Sequence, residues 1–541
     1  MKKIGLILKN LFEKRVDVLS WMTLLLSIIF LRSFIEQFLA VARPLTMLET
    51  IMEFVHNLYF FALVIVMLWL FLSFILKMKP QKLSYLLIFS LFLVIFPTII
   101  DMLKTQGQIY WSFYLLSAPR DLWGQYLSVF GHLPSGIVYF GTKITFIFAI
   151  LALTFLVWVM TKSWLKALLT AFSTYSILFF MGSFPSLFYY GYVFFARKEN
   201  PLAIHAFDIA GFFGAPEKIW GVLFPSFQYT LAYKLNYPYF ILLVFFLAVL
   251  FWRISREQFL AVLKNSRIPQ MIYHWGMFFV GIGLGFLQYP NNFHLNLFSF
   301  LAVLILSISI YLSWMATVVV NDIHDLKIDC VSNPGRPLPK NIFTEETYFK
   351  FGVACFLIAL LGGLTIGLTF ALLLMIYQIL AWFYSATPFR LKKFPLIATF
   401  VSAMASLTIL FLGYILVSDD QTIHGLSWRI ILLLLIAYTI SLPIKDFKDI
   451  EGDKKDGIWT WPVICGEKKG RLIVATGIFL SYALSVFFLN EPKLFIWAML
   501  FGAMTFIIIN NDEIKPKQLP AWVLGLVFVY AMILVRVVFI R

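Results

Sequence analysis

The sequence predicts an all-α polytopic membrane protein of about 15 transmembrane helices. Three observations predict it: an apolar composition, long uninterrupted apolar runs, and basic residues collected between those runs. Of 541 residues, 61% are hydrophobic and only 13% charged. Soluble domains run at about half apolar and about a quarter charged, so much of this surface must face lipid. The runs are long and continuous, which favours helices over the short alternating strands of a barrel.

About six spans precede residue 255, at roughly 18–42, 57–77, 83–103, 143–161, 164–192 and 237–253. About nine follow, at roughly 270–288, 296–320, 346–362, 364–384, 396–417, 427–445, 470–489, 492–510 and 519–539. Two long loops, roughly 104–142 and 193–236, interrupt the first group. Charge gives the orientation. Lys77, Lys79 and Lys82, then Lys162 and Lys166, then Arg253, Arg256, Lys264 and Arg267 fall in alternate short loops, as do Arg390, Lys392 and Lys393. Lysine and arginine in short loops mark the cytoplasmic side, so the N-terminus and these loops are expected there. Arg43 and Lys493 are isolated exceptions. The net charge of +16 is therefore topogenic, and no nucleic-acid motif accompanies it. No cleaved signal peptide is expected, because no small-residue cleavage site follows a short apolar region. Three scattered cysteines exclude a disulfide framework. The charged stretch Arg253–Pro269 divides the chain into domains of 1–260 and 265–541.

Acidic clusters are conspicuous among apolar helices. Asn321, Asp322, Asp325 and Asp329 stand at the cytoplasmic end of one long span, and Asp446, Asp449 and Asp453 at that of another. Each aspartate trio has i, i+3, i+7 spacing, which places it on one face of a helix. Such acids need water, basic partners or a cation. Magnesium suits carboxylate oxygens and bridges them to substrate phosphates. Lys327, Lys448, Lys454 and Lys455 would instead be the counter-charges of a merely solvated helix end.

The first cluster resembles the NDxxDxxxD signature of the UbiA superfamily of membrane prenyltransferases. Asn333-Pro334-Gly335-Arg336-Pro337 resembles its continuation, and Asp446, Asp449 and Asp453 its DxxDxxxD signature. The segment Tyr384–Lys393 resembles the basic loop between them, with Thr387 in place of a proline; Trp461 also departs from the usual leucine. The resemblance covers about residues 265–541. It implies a nine-helix bundle that transfers an isoprenyl chain from its diphosphate to an aromatic or lipid acceptor. It also implies Mg2+ held by Asp322, Asp325, Asp329, Asp446, Asp449 and Asp453. Asn321 and Tyr384 join these as catalytic candidates. Arg336, Arg390, Lys392 and Lys445 are candidates for diphosphate contact, as fork or point charge. His324 is expected to be a solvated imidazole more than a base.

Residues 1–260 resemble no family. Arg32 and Glu36 lie four apart inside a span, and Asp101 follows Pro97. Intramembrane charge marks function by default, so this half reads as an accessory domain or a lipid-handling module. For the whole chain, two other classes compete: a carrier of an anionic lipid using the clusters as ion sites, and a non-catalytic lipid-binding scaffold. Carriers commonly show internal repeats and broken helices near the midplane. The clusters lie at helix ends and no repeat is evident, which favours the enzyme.

Overall fold

The computed structural model describes residues 10–39, 46–106, 114–129, 140–197, 200, 203–215, 217–223, 227–448, 450–455 and 457–538. Among them, 15 helices are long and apolar enough to cross a membrane, six before residue 255 and nine after it. The only β-structure described is a pair of two-residue strands, Lys218–Ile219 and Val222–Leu223. The chain forms two compact units. Unit 1 comprises Met1–Lys218, Leu223–Leu260 and Phe300–Ile305; unit 2 comprises Ile219–Val222, Ala261–Ser299 and Leu306–Arg541.

In unit 1, helix α1 (Val18–Leu39) is followed by α2 (Met47–Ile75). Helix α2 starts ten residues earlier than hydropathy predicts, because Thr46 and Glu49 close a capping box. This adds polar turns carrying Glu49, Glu53 and His56 to an apolar span. The third span is not one helix: α3 (Ser84–Phe92) stops, and α4 (Phe96–Thr105) restarts with Pro97 in its first turn. The expected span 164–192 also divides. Helix α5 (Trp164–Gly182) ends at Ser183, and a short helix, Phe184–Tyr192, follows with Pro185 in its first turn. Proline lacks the N–H that continues a helix but fits the start of one. The two loops hold structure as well, in the helices Pro119–Leu127 and Ala206–Gly214.

Unit 2 is built on a close helix pair, α6 (Ile268–Gln288) and α11 (Pro395–Val417). Between them in sequence lie α7 (Leu297–His324), α8 (Leu326–Ser332), α9 (Glu345–Ile366) and α10 (Leu368–Ser385). A β-carbon added at Gly281 would sit 2.0 Å from the Leu410 carbonyl oxygen, and one at Gly413 would sit 2.0 Å from that of Phe278. The two backbones are therefore in contact. Membrane helices gain little from hydrophobic burial against lipid, and close backbone packing through small residues holds them instead. Beyond this pair, helix α12 (Trp428–Ser441) runs into a 3-10 segment, Leu442–Lys448, and then a short helix, Ile450–Lys455. Three further spans, Glu467–Leu489, Phe495–Asn510 and Leu519–Val538, complete the bundle. Arg471 is buried and donates to the carbonyls of Ile509 and Asn511, at 3.2 and 3.0 Å, which fixes the turn between the last two.

Adding a methyl at either glycine drives it into backbone that cannot move alone. Gly281→Ala and Gly413→Ala are each expected to destabilise the protein by about 1–3 kcal/mol. Gly283→Ala, which meets open space, is not. Thermal unfolding of the purified variants in detergent checks this.

Candidate active site

The structure revises the helical picture of the first cluster. Helix α7 ends at His324 and α8 begins at Leu326, so Asp325 is the joint between them. The chain turns there, at φ −103° and ψ 8°. Three carboxylates on one continuous face would repel, and the break spreads them. Asp322 and Asp329 still share one partner, Arg336, whereas Asp325 is engaged by Arg390 and Lys392. The second cluster is not one helix face either. Asp446 lies in the 3-10 segment Leu442–Lys448, three residues after Pro443, and Asp453 in the short helix after that segment. Asp449, between the two, lies outside the described residues.

Asp322 is the most buried acid of the site, 1% exposed. Its Oδ1 accepts from Arg267 Nη2 at 2.6 Å and Arg336 Nη1 at 3.3 Å. Its Oδ2 accepts from Asn265 Nδ2 at 2.6 Å and Tyr348 Oη at 3.1 Å. A buried carboxylate is tolerable only when paired and hydrogen-bonded, and here both oxygens are doubly served. Asn321 extends the network. Its Oδ1 accepts from Arg267 at 3.2 Å, and its Nδ2 donates to Asp325 Oδ2 at 3.0 Å. Arg390 Nη2 reaches Asp325 Oδ1 at 3.1 Å, and Lys392 pairs with the same oxygen. At the other end Asp329 pairs with Arg336 and accepts from Asn333 Nδ2 at 3.1 Å. Burial pushes the Asp329 carboxyl above its ordinary range, and Arg336 pulls it back. The result is one continuous polar network, from Asp329 through Arg336, Asp322 and Arg267, across the neutral amide of Asn321, to Asp325, Arg390 and Lys392.

Of the second group, Lys445 Nζ donates to Tyr384 Oη at 3.3 Å, and Asp446 and Asp453 act on it electrostatically. Asp453 Oδ2 accepts from Thr460 Oγ1 at 3.5 Å. Two ties join the neighbourhoods. Ser385, next to Tyr384, accepts from Asn321 Nδ2 at 3.5 Å, and Trp459 N donates to the Lys393 carbonyl at 3.1 Å. His324 is half-buried, with Nδ1 2.9 Å from the Val320 carbonyl, so it is turned back onto its own helix and not toward solvent. Among the described residues, no three His, Cys, Asp or Glu side chains form a ready metal cage.

Sequence reasoning missed Arg267, Asn265, Tyr348 and Ser385. Arg267 passed as one more topogenic charge. Its signal was its place, two residues before Pro269 at the start of α6. It holds a left-handed backbone, φ 51°, and Arg390 does the same at φ 41°. Such conformations are disfavoured for residues with a β-carbon and cluster at functional sites.

A lipid-embedded helical bundle that gathers acids and phosphate-seeking cations at its helix ends is built as an intramembrane transferase. The chain belongs to the UbiA prenyltransferase family, whose model matches residues 276–519. It is similar to the digeranylgeranylglyceryl phosphate synthase of Methanospirillum hungatei, with 30% identity over 218 residues, 37% of this chain and 74% of that protein. The synthase of the same name from Methanobrevibacter smithii is 24% identical over 229 residues, 39% of this chain and 78% of the relative. A solved UbiA homologue from Archaeoglobus fulgidus, bound to GPP and Mg2+, aligns with TM-score 0.40 and 16% identity, over 50% of this chain and 96% of its own. The protein is thus a membrane prenyltransferase.

Arg267→Ala removes one of four donors from a buried carboxylate. It is expected to cost about 1–3 kcal/mol of stability. It should also lower turnover, and Arg267→Lys should restore both in part, because the two bonds to Asn321 and Asp322 leave from one nitrogen, Nη2, which an ammonium on a shorter stem can replace only if it reaches the same point. Unfolding curves and steady-state kinetics on the same preparations test both effects.

Proposed function

We propose that residues 265–541 form the catalytic domain. In this reading it binds an isoprenyl diphosphate with magnesium on the cytoplasmic side and passes the prenyl chain to a glycerophosphate lipid. The charge network running from Asp329 to Lys392 carries this reading. It sets cations able to hold phosphate beside carboxylates able to hold a metal. The names of the relatives support the lipid acceptor over an aromatic one.

The donor set fits magnesium, since aspartates offer only hard oxygens. Asp322, Asp325 and Asp329 form one proposed ligand group, and Asp446, Asp449 and Asp453 the other. When bound, the ion supplies Lewis-acid stabilisation to the departing diphosphate. The chain's own cations do the rest. Arg336, Arg390 and Lys392 are neutralised by carboxylates, and a diphosphate can take over those charges as the carboxylates turn to metal. Asp322 is freed for this role only when Arg267 or Arg336 swings toward phosphate. The reaction breaks the bond between the allylic C1 and the diphosphate oxygen, whose electron pair leaves with the diphosphate. A new bond forms from the acceptor oxygen to C1, and the acceptor's proton is released. Charge grows on the diphosphate as the bond stretches, and preorganised donors aimed at it lower the barrier. Tyr384 and Lys445, held together at 3.3 Å, would face that charge. Asn321 keeps Asp325 and Arg267 in register.

Diphosphate release by purified protein is expected to require both a prenyl diphosphate and a glycerophosphate lipid, to stop with EDTA and to resume with magnesium. Asp325→Ala and Asp446→Ala should each lower turnover by about 10²–10³-fold. Full turnover in both variants refutes the site. Transfer to an aromatic acid but to no lipid refutes the acceptor alone.

A further inference from the structure

The turn that grips Asp322 needs support of its own. Asn265 and Arg267 lie two residues apart at the entry to α6 and serve opposite oxygens of that carboxylate. Asn265 Nδ2 reaches Oδ2 and Arg267 Nη2 reaches Oδ1, each at 2.6 Å. Ser266 stands between them and is 4% exposed. Arg267 holds a left-handed backbone at φ 51°. That region crowds the β-carbon, so a residue other than glycine stays there only when its surroundings hold it.

The hold is at the Ser266 carbonyl. A carbonyl entering a helix takes the N–H three or four residues on. Three residues on is Pro269, which has none. Four residues on is Gln270, whose N–H goes to the Arg267 carbonyl at 3.0 Å. A buried carbonyl left in this way needs another donor. Trp314 of α7 supplies it, with the indole Nε1 donating to the Ser266 oxygen at 2.9 Å. This oxygen and the Arg267 nitrogen belong to one rigid peptide plane. Turning that plane about the Arg267 N–Cα bond changes the φ of Arg267. Pinning the oxygen therefore pins φ, and with it the direction in which the arginine side chain leaves the turn.

Trp314 is fixed in its turn. The His274 ring packs on the indole, with centroids 4.7 Å apart. His274 Nδ1 lies 2.6 Å from the Gln270 carbonyl, and Nε2 lies 3.0 Å from Tyr377 Oη. A carbonyl only accepts, so Nδ1 carries the proton and Tyr377 donates to Nε2. The imidazole cannot rotate without breaking both bonds. Trp314 stands eight residues before Asp322, about 12 Å along the helix axis. It is remote from the carboxylates, and its reach to them is through the turn.

We propose that Trp314 is a positioning residue for prenyl transfer: its indole N–H, through the Ser266 carbonyl, keeps Arg267 aimed at Asp322. This role rests on the proposed reading of the Asp322 network as the diphosphate site. Trp275 is a matched comparison. It lies on α6, and its Nε1 donates to the Ser307 carbonyl of α7 at 3.0 Å. It ties the same two helices by the same kind of bond, eight residues beyond Arg267. A bond that merely held α6 to α7 would matter equally at both tryptophans.

The test uses the full chain in lipid nanodiscs. Diphosphate release is measured for the parent, Trp314→Phe, Trp275→Phe, Arg267→Ala and the double variant Trp314→Phe with Arg267→Ala. Phenylalanine keeps an aromatic ring and removes the donor. Trp314→Phe is expected to lower turnover about 3–10-fold, as the loss of one hydrogen bond would. Trp275→Phe is expected to stay at the parent level. In the Arg267→Ala background, Trp314→Phe is expected to cost nothing more, since the group it positions is gone. Hydrogen exchange on the same samples follows the turn itself, whatever the turnover. Residues 264–271 should exchange faster in Trp314→Phe and not in Trp275→Phe. Parent-level turnover in Trp314→Phe, an equal loss in both backgrounds, or unchanged exchange across the turn overturns the proposal. Asp325→Ala tells this failure from that of the site: if it is impaired, the role of Trp314 alone falls, and if it turns over fully, the site falls as well.

Discussion

Burying the charge of Asp322 at the end of an apolar helix is the constraint on which the site depends. A carboxylate that is 1% exposed cannot rely on water, and leaving it unpaired would force it to neutralise or unfold its surroundings. Every neighbour of consequence is arranged around that need. Asn265 and Tyr348 fill one oxygen, and Arg267 and Arg336 fill the other. The two arginines then determine what comes next along the chain of charges: Arg336 draws in Asp329, and Arg267 draws in Asn321 and through it Asp325. The break at Asp325 follows from the same electrostatics, because it turns one carboxylate away from two others and gives it Arg390 and Lys392 as partners.

That arrangement has a consequence for binding. Cations held by carboxylates cost less to keep in a half-buried site than free cations would, and they stay close to the geometry a phosphate needs. A dianionic headgroup offers more acceptor oxygens than a carboxylate, and arginine can meet two of them at once. In the proposed reading, exchange of partners is downhill once the ligand brings its own negative charge and a metal takes over the aspartates. The site is held together by ion pairs that such a ligand would displace, which spares it an open hole in lipid.

Much of this was legible in the sequence, for a physical reason. Apolar run length depends only on composition along the chain, so the span count and the all-helical class could be read directly. The acids stood out because charge is rare in such helices. What could not be read was whatever depended on contact between distant segments. Arg267 looks like any loop arginine until α6 and α7 are placed side by side. Tyr348 looks like an interfacial aromatic until its hydroxyl meets Asp322. The i, i+3, i+7 spacing assumed unbroken helices. It held for Asp322 and Asp329, which share Arg336, and failed for Asp325, where the helix ends and the carboxylate turns to Arg390 and Lys392. The start of α2 was placed too late because hydropathy discounts Glu49 and Glu53, the residues that cap and charge its first turns.

The N-terminal unit shows the same physics with a different outcome. Arg32 and Glu36 were visible as an i, i+4 pair, and an isolated pair of that kind would neutralise itself. The structure separates their nearest atoms by 3.7 Å and sends the guanidinium to a backbone carbonyl freed by a helix break. In the catalytic unit every oxygen of the central acid has a protein donor. Around Arg32 the donors and acceptors are left over. Unmatched guanidinium nitrogens occur in both places, Nε of Arg32 in one and Nε of Arg267 in the other, so what separates the two clusters is the carboxylate: each oxygen of Asp322 has two donors, whereas Glu36 Oε2 faces its guanidinium at 3.7 Å without a hydrogen bond.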